Sequence, residues 1–172
     1  MKLNMKNSQN KGFTLIELLV VIAIIGILSG VVLAALTTAR TKGSDASIQT
    51  ELSNMRSQAE LYYTSNSSTY GPKLNETACS VATTSNIFGS TTLTGSLKNL
   101  LDGVLKKQIS ANTACAIGGT GETNGSSWAV AVKMLSDTAK SFCVDSAGTS
   151  KTYLSGTPGD AIFQDTTLTK CN

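Results

Sequence analysis

Between positions 18 and 36 no residue carries a charge, yet a single carboxylate, Glu17, opens this run. Ahead of it lies a short segment with Lys2, Lys6 and Lys11 and no acid. The apolar residues 13–36 make a helix of roughly 36 Å at about 1.5 Å per residue. That length crosses a hydrocarbon core of about 30 Å with some tilt. The three lysines fit the cytoplasmic side of such a span by the positive-inside rule. An ionisable group within a span costs roughly 2.5–3.5 kcal/mol or more at the bilayer centre, so Glu17 reads as functional.

Three processing schemes compete for this stretch. A secretory signal has an apolar region of about 7–15 residues before its cleavage site. The run here is longer, although Ala34, Ala35 and Ala39 offer a weak late site. An ordinary signal anchor has no use for Glu17. Cleavage ahead of the run leaves the run, and the carboxylate, on the mature chain.

The segment Lys11-Gly12-Phe13-Thr14-Leu15-Ile16-Glu17 resembles the class III leader junction of the type IV pilin and pseudopilin family. The resemblance covers residues 1 to about 30. It implies that a membrane aspartyl peptidase, the prepilin peptidase, cuts between Gly12 and Phe13 and methylates the new amine of Phe13. That amine is largely cationic at neutral pH. The resemblance further implies that Glu17 of one subunit pairs with the Phe13 amine of a neighbour. A simpler role needs no neighbour: a carboxylate in the first turn is favoured by the helix dipole by roughly 0.3–1 kcal/mol. Gly26, Ser29 and Gly30 form a small-residue pattern that permits close helix approach. The family alternative is local unwinding there. Many relatives carry a helix-breaking proline where this chain has Ala34, and the chain departs from them.

The chain of 172 residues has no histidine. The commonest general base and the commonest metal ligand are therefore missing. No catalytic set is recognisable, so an enzyme is not expected, and neither is a cofactor. Removing the three leader lysines from the 14 basic side chains leaves 11, equal to the 11 acidic ones. Bulk charge therefore gives no reason to expect a nucleic-acid partner. Lys98, Lys106 and Lys107 are the only basic cluster.

Cys79, Cys115, Cys143 and Cys171 all lie beyond the span. An even count there points to two disulfides in an oxidising compartment. A four-thiolate zinc site wants close pairs, and the gaps here are 36, 28 and 28 residues. Spacing leaves three connectivities open. Family resemblance implies Cys143 with Cys171, closing a C-terminal loop, and hence Cys79 with Cys115.

The expected organisation is a cleaved leader over 1–12, a membrane or filament-core helix half over 13–36, and an amphipathic half over 37–63. Ile48, Leu52, Met55, Ala59 and Tyr62 recur at helical spacing. Asp45, Gln49, Glu51, Asn54, Arg56, Gln58 and Glu60 are read as the solvated face. No proline interrupts 13–63, and Gly43 with Ser44 is the weakest point. Residues 64–127 read as a Ser/Thr/Gly-rich loop region. It begins with a turn at Tyr70-Gly71-Pro72 and holds a short helix near 97–109 that Ser96 caps. Within 128–172, Trp128, Val130, Val132 and Met134 alternate with Ala129, Ala131 and Lys133, the pattern of a half-buried strand. Strands over 140–145 and 149–154 complete a meander, followed by the C-terminal disulfide loop. The fold class is α+β: a long N-terminal helix, apolar then amphipathic, packed on a small antiparallel sheet.

Asp145, Asp160 and Asp165 sit where some secretion pseudopilins bind calcium. Without a tight acidic run they read as solvated loop acids. Asn66-Ser67-Ser68, Asn75-Glu76-Thr77 and Asn124-Gly125-Ser126 are weak matches to the N-glycosylation pattern. The functional expectation is a structural pilin subunit that polymerises with itself. The alternatives are a type II secretion pseudopilin, or a minor pilin for adhesion or DNA uptake. Its partners would be the peptidase and the assembly machinery. It would be a single-pass cytoplasmic membrane protein first, and an extracellular pilus afterwards.

Overall fold

A computed structural model describes residues 12–76, 79, 86–89, 94–119, 125–164 and 169–172. The chain divides into an N-terminal unit ending at Ala39 and a larger unit from Arg40 to Asn172. Helix α1, Leu15–Ser65, belongs to both and continues through Gly43 and Ser44. In the N-terminal unit every described residue is exposed.

In the larger unit α1 buries Ile48, Leu52, Met55, Ala59 and Tyr62, the stripe that the 4-3-4-3 spacing marks out. The polar face is less simple. Asp45, expected in solvent, is buried, and its carboxylate accepts the amides of Leu135 and Ser136 at 2.7 and 2.8 Å. A buried carboxylate is tolerated where amides satisfy it. Arg56 donates to the carbonyls of Asp145 and Thr149, and Glu51 pairs with Lys107. These charges clamp the helix to its neighbours. The helix ends earlier than the Tyr70-Gly71-Pro72 turn. Ser67 and Ser68 take left-handed φ values of 55° and 57°, and the Ser68 amide donates to the Tyr63 carbonyl. Serine is uncommon in that region. Tyr70, beyond the turn, is itself buried.

Five antiparallel strands form the main sheet in chain order: β1 Leu74–Glu76, β2 Thr113–Gly118, β3 Ser127–Lys133, β4 Ser141–Asp145 and β5 Ser150–Tyr153. Two of them fall within 64–127, which the sequence reading assigned to loop and a short helix. β1 has only three residues, and β2, Thr-Ala-Cys-Ala-Ile-Gly, is built largely of alanine and glycine, which have little preference for strands. The short helix α2 is Lys98–Leu105, shorter than expected, and Leu97 rather than Ser96 holds its N-cap position; the Ser96 hydroxyl, one residue earlier, accepts the Lys98 amide at 3.2 Å. Just before it, Gly95 has φ 80°, and any Cβ there would overlap the α1 backbone at Tyr62 and Gln58. Only glycine allows this approach.

β3 is buried on both faces, not half-buried. Trp128, Val130 and Val132 join Cys115, Ile117 and Val144 under the two helices. Ala129 and Ala131, with Ala114 and Ala116, form the other face. A second antiparallel sheet, β6 Ile162–Gln164 and β7 Thr169–Cys171, lies beside these alanines through Ile162 and Cys171. Short side chains let the second layer approach closely and exclude water, which alternation alone did not reveal.

Candidate functional site

At the N-terminus the sequence folds as a reciprocal cap. The Thr14 amide and hydroxyl donate to the Glu17 carboxylate at 2.8 and 2.7 Å. In return, the Glu17 amide donates to the Thr14 hydroxyl at 3.3 Å. This is a capping box, which satisfies first-turn amides that have no partner inside the helix. Its signature, Thr-x-x-Glu ahead of an apolar run, stands in the sequence. The sequence reading weighed Glu17 by its charge and position alone and missed Thr14.

Gly12 and Phe13 precede the helix outside any regular element and are exposed, Phe13 to 91%. In the uncut chain the Phe13 nitrogen is an amide, so it offers no charge to Glu17. Gly26, Ser29 and Gly30 lie within α1 and are exposed, and a Cβ at either glycine would meet nothing within 4 Å. No contact among the described residues therefore requires small side chains there. The apolar stretch of α1 has a mean hydropathy of 3.0 over its best 18-residue window and is long enough to cross a membrane.

Cys79 is bonded to Cys115 and Cys143 to Cys171, with Cα separations of 5.2 and 5.9 Å. The first bridge ties position 79 to β2. The second ties β4 to β7.

The family model for the prokaryotic N-terminal methylation motif matches residues 7–33. The chain is 34% identical to the fimbrial protein of Neisseria meningitidis serogroup B, over 139 residues that cover 80% of this chain and 74% of the relative. The chain belongs to the type IV pilin family. A second pilin relative is the type IV wide pilus major component PilA4 of Thermus thermophilus. It is 45% identical over 58 residues, which are 34% of this chain and 44% of PilA4. No solved structure matches significantly.

As a pilin the chain is a structural subunit carrying an N-methylation motif. Its other candidate residues have structural duties. Asp145 is fully buried, not solvated: its Oδ1 and Oδ2 accept the Thr149 and Cys171 amides, both at 2.8 Å. Asp160 accepts the Ser155 hydroxyl. Asp165 lies outside the described residues, as do Lys2, Lys6, Lys11, Thr77 and Asn124. Among the described residues no three acidic, cysteine or histidine side chains gather as a metal site. In the basic cluster Lys98 pairs with Asp102 and Lys107 with Glu51, leaving Lys106 exposed. The Asn66 side-chain Nδ2 donates to the Thr69 carbonyl within the helix-ending turn.

Proposed function

We propose that this pilin is cut between Gly12 and Phe13 by a prepilin peptidase, methylated on the Phe13 amine, and held in the cytoplasmic membrane by residues 13–36. Membrane-bound assembly machinery then adds it to an extracellular pilus made of copies of itself. The observation that carries this reading is the surface of the N-terminal unit. Leu15, Ile16, Ile24, Ile27 and Val31 are each at least half exposed, on a helix whose sole charge before Arg40 is Glu17, and Phe13 just ahead of it is exposed too. Water does not tolerate so long an apolar face, so lipid or other copies must cover it. Likeness to two pilus proteins favours a pilus over a secretion piston.

In this reading hydrolysis of the Gly12–Phe13 bond creates the cation that Glu17 lacks. An unpaired charge in an apolar filament core is costly, and a matched pair offsets much of that cost. Pairing Glu17 with the Phe13 amine of a neighbour therefore sets the axial register, and Gly26, Ser29 and Gly30 admit the close approach of helices. Mass spectrometry of the subunit from sheared surface filaments tests the processing. An N-methylated Phe13 start is expected, and a start near Leu36 or Thr41 overturns the scheme. Glu17→Val is expected to abolish filaments, and normal filaments would refute the register role.

A further inference from the structure

We propose that the end of the larger unit carrying Arg40 is a docking surface for anionic membrane headgroups, formed by Arg40, Lys42, Lys133 and Lys140 around Ile109. The proposal rests on the reading of residues 13–36 as a membrane span.

The apolar run stops at Leu36, and Arg40 and Lys42 are the first cations after it. Both are exposed. At about 100° per residue they fall on opposite flanks of the buried stripe that starts at Asp45 and Ile48. Asp45 then does two things. Its oxygens accept the amides of Leu135 and Ser136, so its charge is spent inside the fold. Those same bonds draw the β3–β4 hairpin to this end of α1, and with it Lys133 and Lys140, which flank the loop. The Met134 amide donates to the Lys140 carbonyl at 2.9 Å and closes the hairpin. The Gln108 side chain donates to the Lys133 carbonyl at 2.9 Å, which brings Ile109 beside it, 65% exposed.

Among the described residues Arg40, Lys42 and Lys133 make no ion pair. Lys140 pairs with Asp137 at 2.7 Å, with both side chains about two-fifths exposed. Such surface pairs contribute little, so a lipid phosphate can take Asp137's place. Arg40 and Lys42 on α1 and Lys133 and Lys140 on the hairpin that Asp45 holds thus add four cations at this end, with Asp137 as the paired acid of Lys140 and Ile109 exposed next to Gln108. Long cationic side chains reaching phosphates while an apolar group enters the acyl boundary is the chemistry of an interfacial contact. In the sequence Arg40 follows Leu36, where the proposed span ends, by only four positions, which favours lipid over a soluble partner. Docking would keep the folded unit on the membrane surface until a filament takes the subunit up.

The test is amide hydrogen exchange of the full chain in nanodiscs of phosphatidylcholine, with and without phosphatidylglycerol. Exchange over 134–139 is expected to slow about tenfold or more in anionic discs, given roughly fivefold for each lysine or arginine at an anionic surface. The turn at 146–149 should not respond. High salt should erase the protection, and so should Lys133→Gln with Lys140→Gln. The salt series on the unaltered chain stands even if that variant misfolds. Equal exchange in both discs overturns the proposal. Protection that follows the number of chains per disc rather than lipid charge overturns it in favour of contact between copies. A chain that does not insert at all overturns the span, and the docking surface with it.

Discussion

Cys171 donates its backbone amide to the buried Asp145 carboxylate at 2.8 Å, so β7 is tied to β4 both by this bond and by the Cys143–Cys171 disulfide. The other Asp145 oxygen holds the Thr149 amide, and Arg56 of α1 donates to the carbonyls of the same two residues, Asp145 and Thr149. One carboxylate therefore couples the main sheet, the second sheet and the turn against the helix. Asp145→Asn replaces one acceptor by a donor facing an amide. Its expected effect on a thermal or urea unfolding curve is a loss of about 1.5–3 kcal/mol, the range for hydrogen bonds to a charged group.

Loop-closure entropy alone assigns about 3.5–4 kcal/mol to each disulfide. The Cys79–Cys115 bridge spans 36 residues and the other 28, so this term slightly favours the first. The tertiary contacts reverse the order. Loss of Cys143–Cys171 also frees β7 and exposes the Asp145 carboxylate. Cys143→Ser with Cys171→Ser is expected to lower stability more than Cys79→Ser with Cys115→Ser. Denaturant unfolding of the two double variants measures the ranking.

Gly95→Ala should destabilise the fold by about 1–3 kcal/mol, because it adds a Cβ at positive φ against the α1 backbone. Gly26→Ala and Gly30→Ala meet nothing in the chain itself. They should leave unfolding unchanged or raise helix stability by roughly 0.5–1 kcal/mol. If the glycines serve helix approach between subunits, these two changes reduce filament yield without touching subunit stability. Circular dichroism beside electron microscopy separates the two effects.

The Tyr70 phenol is pushed well above its usual range, first by burial and then by the Glu60 carboxylate, whose oxygen accepts its hydroxyl at 3.1 Å. Burial also raises Tyr62. A phenol with a raised folded value keeps its full stabilising effect below its unfolded value of 10.0 and loses it as pH rises further. The fold should therefore weaken above pH 10, with late ionisation of two tyrosines coinciding with unfolding. Tyr70→Phe should shift that alkaline transition. Spectrophotometric titration of tyrosinate, followed beside circular dichroism, checks both.

Much of the fold could be read locally. The stripe from Ile48 to Tyr62 announces its helix because burial on one face of a helix imposes its own period. The strands at 141–145 and 150–153 lie inside the intervals read from apolar and turn residues. Other features resisted for identifiable reasons. Asp45 and Asp145 look like surface acids, since nothing local shows that backbone amides from elsewhere will reach them. The alanines of β2 and β3 look like the lesser half of an alternation, but their shortness is what admits the second sheet. At the N-terminus, Glu17 was legible as a site and Thr14 as its partner was overlooked, although the two are the ends of one four-residue motif.

The motif at residues 11–17, the apolar run and the helical stripe are local patterns, written in residues a few positions apart, and they already point to the pilins. Cysteine spacing left three pairings open, and resemblance alone pointed to one. Which cysteines meet, which amides quiet Asp45 and Asp145, and where the β3–β4 hairpin is held depend on strands far apart in the chain becoming neighbours. Burial chooses those neighbours by the shape and satisfaction of the whole core, so no local window contains the answer.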